Sequence, residues 1–430
     1  MTNDRKRILV VGGGGREHAI VWKLRQSRRL GGVYCTPGNA GIAGEATTFE
    51  ADFGPDFSRL IARARNLGID YTIVGPEAPL ADGIVDAFEA AGLKIFGPAR
   101  EAARLESSKS FAKEIMQAAG IPTAEAQIFT ATEPALAYAR SLGTPLVVKA
   151  DGLAAGKGVV VARTLEEAED AIRANLDRHQ FGPSSDKIVI EEFLAGEEAS
   201  MLAFTDGNVV VPMASAQDHK PLLDNDAGPN TGGMGAYSPA PVVTADLAEE
   251  VRETVFLRLL AELNRRGIEY RGVIYAGLMV CEDGPRVLEF NCRFGDPETQ
   301  VILPRLENDL IDLVEAVCEG RLHEHHLEWS PQAAVCVVMA AAGYPEAPRK
   351  GDVITGLDEV AFSDRALVFH AGTKFSGSDI VTNGGRVLGV TALGSSIPRA
   401  IDTVYKEVEK IRFAGAFYRR DIGRKALARL

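Results

Sequence analysis

Residues 144–161 read TPLVVKADGLAAGKGVVV, a glycine-rich loop between two apolar runs. The apolar runs predict a strand over 144–150 and another over 159–161. A Walker A loop requires four residues between its glycines and a helix after its lysine. Here three residues separate Gly152 from Gly156, and a strand follows the loop. The pattern therefore predicts a β-hairpin flap that carries glycines and lysines at Lys149, Gly152, Gly156, Lys157 and Gly158.

Such a flap can close over the phosphates of a nucleotide, because backbone N–H and ammonium groups offset the triphosphate charge. The alternative is a surface hairpin without a ligand. Downstream, Glu191-Glu192-Phe193-Leu194 ends an apolar strand and Gly196-Glu197-Glu198 follows. Such a run alone is most often a solvated strand end. After a phosphate-binding flap, it is better explained as a hinge that binds adenine, with a carboxylate at the ribose hydroxyls.

Residues 288–298 read LEFNCRFGDPE and carry the most specific chemistry. Glu289 and Asn291 are two residues apart on a predicted strand, so both side chains point to one face. A carboxylate and an amide oxygen suit Mg²⁺ that also binds triphosphate oxygens. Arg293 continues that face and can neutralise a phosphate or an acyl phosphate. The alternative is a strand whose polar face is only hydrated.

A glycine loop, GGGGREH at residues 12–18, lies between the first predicted strand and helix. The exposed N–H groups and the helix dipole at such a position can bind an anion. The dinucleotide fingerprint fails, because Glu17 or His18 stands where its third glycine is required, and Cys35-Thr36 replaces the acidic ribose ligand. We therefore expect a phosphate or sugar-phosphate contact rather than an NAD site; a merely tight turn is the alternative.

Composition limits the function classes. The 430 residues suggest about three domains. The 47 basic and 59 acidic residues give a net charge of −12 without a basic block, which argues against nucleic acid or an anionic membrane surface as partner.

Five cysteines without a CxxC pair indicate neither a disulfide framework nor a zinc site. No apolar run approaches the roughly 18 residues of a membrane span, and the N-terminus lacks a leader pattern, so we expect a cytoplasmic protein. His323, His325 and His326 are expected to lie in a solvated linker.

These segments together resemble the phosphoribosylamine–glycine ligases, or glycinamide ribonucleotide synthetases, of the ATP-grasp superfamily. The resemblance covers residues 6 to 424 and rests on these strings: IVGPEAPLADG (73–83), KADGLAAGKGV (149–159), IEEFLAGEEAS (190–200), QDHK (217–220), GPNTGGMGAYSPAP (228–241), YAGLMV (275–280), EFNCRFGDPETQ (289–300), VVMAAAGYP (337–345), FHAGTK (369–374) and VTNGGRVLGVTALG (381–394).

The resemblance implies α/β and α+β architecture in several domains. An open parallel, Rossmann-like sheet is expected over residues 1–104 from the alternation of strands and helices. An ATP-grasp domain would follow over 105–330, with its flap at about 123–192, and a small mixed β/α domain over 331–430. Within this frame, the sequence predicts one helix over 99–120 and another over 81–91.

The implied reaction is ATP-dependent ligation of glycine to 5-phosphoribosylamine, which gives glycinamide ribonucleotide, ADP and phosphate through glycyl phosphate. This is step two of de novo purine (IMP) biosynthesis. ATP and Mg²⁺ (or Mn²⁺) are the implied cofactors, and glycine and 5-phosphoribosylamine the partners; a monomer or weak dimer is expected. No side-chain nucleophile is needed.

The resemblance also implies roles for single residues. Lys109, Lys149 and Arg293 would be catalytic, and Glu289 and Asn291 would hold the metal. ATP would contact Lys109, Lys149, Gly152, Gly156, Lys157, Gly158, Glu191, Phe193, Leu194 and Glu198. The substrates would contact Gly14, Gly15, Arg16, Glu17, His18, Asn39, Pro76, Glu77, Asp218, Asn230, Thr231, Gly232, Gly233, Met234, Gly235 and Arg293.

Three positions depart from the family pattern. Ser107 stands where glycine is expected, Pro221 where a basic residue is usual, and Gly13 where Asn or Ser is expected. None of these departures removes a residue assigned to catalysis.

Two other functions remain as alternatives: an ATP-grasp ligase or carboxylase that acts on a different acid, and a nucleotide-sensing or scaffold protein that retains the fold.

Overall fold

The structure is a computed structural model that describes residues 5–54, 56–153, 158–363 and 365–429. Its N-terminal part is a five-stranded parallel sheet in the spatial order Thr47–Thr48, Leu30–Pro37, Lys6–Gly12, Tyr71–Val74 and Ile95–Phe96. The helices of this part are Gly15–Leu24, Ala40–Ala43, Ser58–Leu67, Glu77–Ala81 and Ile84–Ala90. The open parallel sheet agrees with the prediction, because apolar strands that alternate with helices bury both faces of the sheet.

Two predicted helices are wrong in extent, because each is interrupted. The stretch over 99–120 forms Arg100–Ser107 and Lys109–Ala119, with Ser108 extended between them (φ −139°, ψ 109°). The Ser108 hydroxyl accepts a hydrogen bond from Phe111 N and so caps the second helix. The stretch over 81–91 is split at Gly83, whose φ of +89° is incompatible with a continuing helix.

The flap belongs to a four-stranded antiparallel sheet. Its spatial order is Ala126–Phe129, Ile188–Glu192, Leu146–Ala150 and Val159–Ala162. The helices Thr132–Leu142 and Leu165–Leu176 pack against it, and a short 3₁₀ turn spans Gly182–Ser185. Leu136, Leu146, Ile172 and Ile190 belong to a small core that is separate from the other cores.

A second antiparallel sheet carries the predicted metal strand. Its order is Val210–Pro212, Glu197–Thr205, Gly272–Cys281 and Gly284–Asn291. The helical segments around it are Ala245–Val251, the π-helical Arg252–Leu257, Arg258–Arg265, Thr299–Ile302, Leu303–Arg305, Leu310–Glu319 and Leu322–Glu324. One hydrophobic core joins this region to the N-terminal and C-terminal sheets, since it contains Ile8, Val273, Leu310 and Ala334.

The C-terminal sheet is completed by two strands from the central part of the chain. Its order is Gln217–Asp218, Gly235–Ser238, Ala333–Ala340, Arg386–Gly394 and Leu367–His370. The connection over 219–234 therefore has both ends fixed in this sheet. The remaining elements are the ribbons Pro221–Leu223 with Ala227–Asn230 and Thr373–Ser376 with Asp379–Thr382, and the helices Asp224–Asp226, Leu357–Ser363, Ile397–Val408 and Arg424–Leu427.

The histidine-rich segment after the central region shows no metal-site geometry. In the part of the chain that the structure describes, no group of three or more His, Cys, Asp or Glu side chains could hold a metal ion. His326 is 84% exposed and lies 3.1 Å from Glu328. None of the helices in that part is long and apolar enough to cross a membrane.

Candidate active site

A cavity of about 510 Å³ lies where the three larger parts of the molecule meet. This volume is in the range of pockets that bind cofactors and small molecules. Eighteen residues singled out in the sequence line it: Arg16, Pro76, Glu77, Lys109, Lys149, Gly152, Gly158, Glu191, Phe193, Leu194, Glu198, Asp218, Asn230, Thr231, Gly232, Glu289, Asn291 and Arg293. Gly156 and Lys157 of the flap lie outside the described residues.

Glu191 lies between two lysines at the base of the flap sheet. Its Oε2 is 2.8 Å from Lys149 Nζ, and its Oε1 is 3.1 Å from Lys113 Nζ. All three side chains are at most 7% exposed. Burial lowers the pKa of the Lys113 amine, and the charge of Glu191 opposes that shift. Lys149 also donates a hydrogen bond to the carbonyl of Leu288, 3.0 Å away, which ties the flap sheet to the metal strand.

The hinge after this cluster has an apolar wall and one further carboxylate. Phe193 is 40% exposed and borders the cavity together with Leu194 and Met279. A planar base is the kind of group that such a wall can bind. Glu198 reaches the cavity from the next strand, with its Oε2 2.7 Å from Lys220 Nζ.

Glu289 and Asn291 both face the cavity from the strand Gly284–Asn291. Glu289 Oε2 lies 3.8 Å from Lys109 Nζ, at the first residue of the helix that Ser108 caps. Burial would raise the pKa of Glu289, but the charges of Lys109 and Lys220 outweigh it, and the pKa falls to about 2. The site therefore presents an ionised carboxylate and an amide oxygen, a donor set that suits a hard divalent cation.

Arg293 is held by two carboxylates from other segments. One of its terminal nitrogens, Nη2, is 2.8 Å from Glu106 Oε1, and Nε is 3.5 Å from Glu77 Oε2. Glu106 also accepts a hydrogen bond from Cys292 N at 2.8 Å. Burial would lower the pKa of Arg293, but Glu106 and Glu77 outweigh it and raise the pKa. The guanidinium is therefore a fixed positive charge at the cavity wall.

A second group of polar side chains lies beside the metal strand, where Tyr275 is paired with Asn291 on the neighbouring strand. Burial raises the pKa of the Asp218 carboxyl to about 7, although Lys220 Nζ, 3.8 Å away, opposes the shift. Tyr275 Oη donates to Glu298 Oε1 at 3.0 Å, and the Ser200 hydroxyl donates to the same oxygen at 3.0 Å. These contacts fix the orientation of Glu298, which also lines the cavity.

The first glycine loop brings Arg16 to the cavity but uses Glu17 for its own structure. Glu17 accepts hydrogen bonds from Gly14 N at 2.5 Å and from Arg16 Nε at 2.6 Å. A Cβ on Gly75 would collide with this carboxylate, so the loop and the end of the strand Tyr71–Val74 are fitted to each other. Glu17 is 2% exposed and does not border the cavity.

Four other predicted substrate contacts in this part also lie outside the cavity wall. His18 Nδ1 accepts a hydrogen bond from His370 N at 2.7 Å. Asn39 donates to Gly13 O and to His370 O, and its side-chain oxygen caps the helix Ala40–Ala43. Gly14 and Gly15 border the Glu17 and Gln300 side chains. These residues join the N-terminal part to the C-terminal sheet.

The loop over 228–235 is divided between cavity and core. Asn230, Thr231 and Gly232 line the cavity, whereas Gly233, Met234 and Gly235 do not. Met234 is fully buried, and its carbonyl accepts a hydrogen bond from Val338 N at 3.0 Å. The second half of the loop is therefore an anchor for the first half.

Several cavity residues were not singled out from the sequence. Those with charged or hydroxyl side chains are Glu106, Glu192, Lys220, Tyr275, Asp296, Glu298 and Arg386. The apolar ones are Val147, Ala150, Leu153, Val159, Val161, Met279 and Leu288. Asp296, Glu298 and Arg386 belong to strings that carried the resemblance, which is the one signal that could have found them.

Comparison with known proteins gives the family. Sequence models of phosphoribosylglycinamide synthetase match the chain in all three domains: N at residues 6–106, ATP-grasp (A) at 107–299 and C at 334–425. A phosphoribosylamine–glycine ligase of Vibrio parahaemolyticus is 52% identical over 425 residues, which are 98% of this chain and 99% of that protein. The chain belongs to the phosphoribosylglycinamide synthetase family.

Further relatives agree with this membership. The Escherichia coli O157:H7 phosphoribosylamine–glycine ligase is 52% identical over 426 residues, 98% of this chain and 99% of its own. The crystal structure of the Thermotoga maritima ligase has a TM-score of 0.84 at 34% identity and covers 97% of this chain and 100% of its own. A biotin carboxylase of Campylobacter jejuni, at 16% identity and a TM-score of 0.73, shares the fold over 97% of this chain and 93% of its own. The prediction of an ATP-grasp phosphoribosylamine–glycine ligase of purine biosynthesis is confirmed.

Proposed function

We propose that the ligation of glycine to 5-phosphoribosylamine takes place in the 510 Å³ cavity, with ATP on the flap side and the two substrates on the side of the loop 230–232. One observation carries this assignment. The flap lysine, the metal strand, the arginine from the same segment and the substrate loop, which come from distant parts of the sequence, border a single cavity.

The nucleotide half is assigned to the flap sheet and hinge. Phe193 and Leu194 would border the adenine, and Glu198 is the hinge carboxylate available for ribose hydroxyls, because both oxygens of Glu191 are bound by lysines. Lys109 and Lys149 would offset the charge of the phosphates. Gly152 and Gly158 would let the flap backbone approach them, together with Gly156 and Lys157 outside the described residues.

Glu289 and Asn291 fit Mg²⁺, because the carboxylate of Glu289 is held ionised and both residues line the cavity. When bound, the ion would supply positive charge that neutralises the triphosphate. Mn²⁺ would suit the same oxygens.

The first step that we assign is attack by a glycine carboxylate oxygen on the γ-phosphorus. A new O–P bond forms, the bond to the β,γ-bridging oxygen breaks, and ADP leaves. Two anions must approach each other, so fixed positive charge at the point of attack lowers the barrier. Arg293 supplies it, since Glu106 and Glu77 hold its guanidinium in place.

In the second step, the ribosylamine nitrogen attacks the carbonyl carbon of glycyl phosphate. The C–O bond to phosphate breaks, phosphate leaves, and the nitrogen loses a proton. Asp218 would hold the ammonium group of glycine, and Arg16, Pro76 and Glu77 would border the ribosylamine. Asn230, Thr231 and Gly232 would close that side. No protein nucleophile takes part.

We also propose domain limits of 1–104, 105–330 and 331–430, with the flap at about 123–192, a cytoplasmic location, and a monomer or weak dimer. The free state of all five cysteines supports a reducing compartment.

The test is to measure ADP release while each component is omitted in turn. Ribosylamine would be formed in situ from ribose 5-phosphate and ammonia. We expect ADP release to require glycine and ribosylamine together, with glycinamide ribonucleotide formed in equal amount. ATP binding without release under any of these conditions would overturn the proposal in favour of a nucleotide sensor.

A further inference from the structure

Arg386, the first residue of a C-terminal strand, binds two segments of the active site at once. Its Nη1 donates hydrogen bonds to the carbonyl of Gly232 at 2.6 Å and to the carbonyl of Asp296 at 2.8 Å. The same nitrogen is 3.3 Å from Asp296 Oδ1. One guanidinium group therefore joins the substrate loop to the segment that continues the metal strand.

A second C-terminal residue holds the same glycine. Gly232 N donates a hydrogen bond to Tyr344 Oη at 3.1 Å. The N–H and the carbonyl of Gly232 are thus both bound by side chains of the C-terminal part, Tyr344 on one and Arg386 on the other. Held at both polar groups, the backbone of Gly232 has little freedom to shift relative to the cavity.

The glycines of the loop leave the space that Arg386 and Pro297 occupy. A Cβ on Gly232 would lie 3.0 Å from Arg386 Cζ, and one on Gly233 would lie 2.5 Å from Pro297 Cδ. Gly233 also has a φ of +110°, which side chains disfavour. Only a backbone without side chains allows the loop, the guanidinium and the segment 296–297 to approach so closely.

Arg386 also lines the cavity. Within the described ranges, no residue accepts a hydrogen bond from its Nε or Nη2, and its side chain is 22% exposed at the cavity wall. Burial would lower the pKa of Arg386, but Asp296 and Tyr344 outweigh it and raise the pKa, so the group is charged. The contacts that hold it in the described residues are to the loop and to Asp296, and none is to Lys149 or to Glu191.

We infer that Arg386 and Tyr344 are positioning residues through which the C-terminal domain fixes the loop 230–232 for the ribosylamine. The inference rests on the proposed function for the identity of the substrate. Because the hydrogen bonds that these two side chains make in the described residues are to the loop and to Asp296, and not to the flap sheet or the hinge, their loss weakens the use of ribosylamine and leaves nucleotide binding intact.

The test compares R386A, R386K and Y344F with the wild type. Arg349→Ala is the matched control, since Arg349 also donates to a backbone carbonyl, that of Ala414, but contacts only the C-terminal domain. Three quantities are measured: kcat/KM for ribosylamine, the Kd of a non-hydrolysable ATP analogue, and glycine-dependent isotope exchange in ATP without ribosylamine.

We expect R386A to lower kcat/KM for ribosylamine at least about tenfold, because two hydrogen bonds from a charged group are lost. Y344F should lower it about threefold to tenfold, the effect of one neutral hydrogen bond. R386K should recover part of the loss, because the lysine ammonium can replace one of the hydrogen bonds that the guanidinium donates. Nucleotide Kd and glycine-dependent exchange should stay within about twofold of the wild type in every variant.

Unchanged kcat/KM for ribosylamine in R386A would overturn the inference, as would an equal loss of nucleotide affinity. Should R386A fail to fold, Y344F decides, because it retains the aromatic ring. If ADP release by the wild-type enzyme did not depend on ribosylamine, the proposed function would be overturned instead. The two failures are therefore distinguishable.

Discussion

Lys149 and Glu191 lie on adjacent antiparallel strands of the flap sheet and form a buried ion pair of 2.8 Å. Lys113 occupies the other carboxylate oxygen at 3.1 Å. Two lysines thus share one buried carboxylate beside the cavity. In this arrangement Glu191 holds Lys149 in place, and its contact with ATP stays a prediction.

Glu191→Gln should destabilise the protein and weaken nucleotide binding. The change leaves two buried lysines without a counter-charge, which costs about 3–5 kcal/mol when a buried pair is broken. Urea unfolding and ATP titration measure the two effects. Glu169→Gln is the control in the same domain, because Glu169 and its partner Arg140 are partly exposed and such a pair contributes at most about 1 kcal/mol. Equal behaviour of the two variants would contradict the proposed support.

Glu289→Gln should raise the Mg²⁺ concentration needed for half-maximal activity by at least about tenfold. Even partners one shell removed from a metal change its affinity tenfold to a hundredfold, and a ligand should matter no less. Magnesium titration of the steady-state rate measures the shift. Glu282→Gln is the control, because Glu282 lies on the exposed turn between the strand Gly272–Cys281 and the metal strand. It should leave the titration unchanged. An unshifted titration for Glu289→Gln would show that the metal lies elsewhere.

Glu106→Gln should lower kcat and leave ATP affinity close to that of the wild type. The amide can still accept the hydrogen bond from Cys292 N, but the charge that orients Arg293 is lost. A displacement of a catalytic group by about 1 Å can lower the rate about a hundredfold. We therefore expect kcat to fall by about tenfold to a hundredfold. Glu101→Gln, on an exposed part of the same helix, is the control. A rate equal to the wild type would mean that Arg293 needs no such support.

His370 should make stability depend on pH. Burial lowers the pKa of its imidazole to about 3, and the nearby His18 adds to the shift. Between the unfolded value near 6.5 and 3, the unfolded state binds the proton and the folded state does not, so stability falls as pH falls through this window, by up to about 1.4 kcal/mol per pH unit.

Calorimetry of wild type and His370→Asn at pH 7 and pH 5 tests this dependence. The difference in Tm between them should shrink at pH 5, because the variant lacks the group whose protonation opposes folding. His326→Asn, at a position that is 84% exposed, should show no such change. A difference that is the same at both pH values would contradict the assignment.

The features that depend on local spacing could be predicted from the sequence. The period of a strand places Glu289 and Asn291 on one face, and the structure has both at the cavity. The flap was predicted from a strand on each side of its glycines, and both strands are present in one sheet. The open parallel sheet followed from alternating apolar strands and helices.

What sequence reasoning missed depends on contacts between distant segments. Glu106, Lys113 and Arg386 act through partners far away in the chain, and no local pattern announces such a pair. The break at Ser108 was missed because a serine inside a helical stretch does not by itself predict a helix start. Only the hydrogen bond that its hydroxyl accepts from Phe111 N shows that it caps a new helix. Polar atoms of Glu17 and Asn39 are bound within the protein, and the contact of these two residues with the substrates stays a prediction.

The departures from the family pattern also depend on tertiary context. At Gly13 a Cβ would lie 2.5 Å from Gly38 O, so Asn or Ser would require the backbone to move. Ser107 is the last residue of a regular helix, where glycine's conformational freedom is not needed. The carbonyl of Pro221 accepts a hydrogen bond from the buried Arg419 at 3.0 Å, so a positive charge lies next to this position from another segment.

In the proposed reaction glycine itself, and no protein group, attacks ATP in this cavity. Glycine labelled by ¹⁸O in its carboxylate gives the direct test. If the carboxylate oxygen bonds to the γ-phosphorus and later leaves with it, the released phosphate carries one ¹⁸O from glycine in each turnover, and mass spectrometry of the phosphate detects it. Phosphate free of the label, formed while glycinamide ribonucleotide accumulates, would contradict the account.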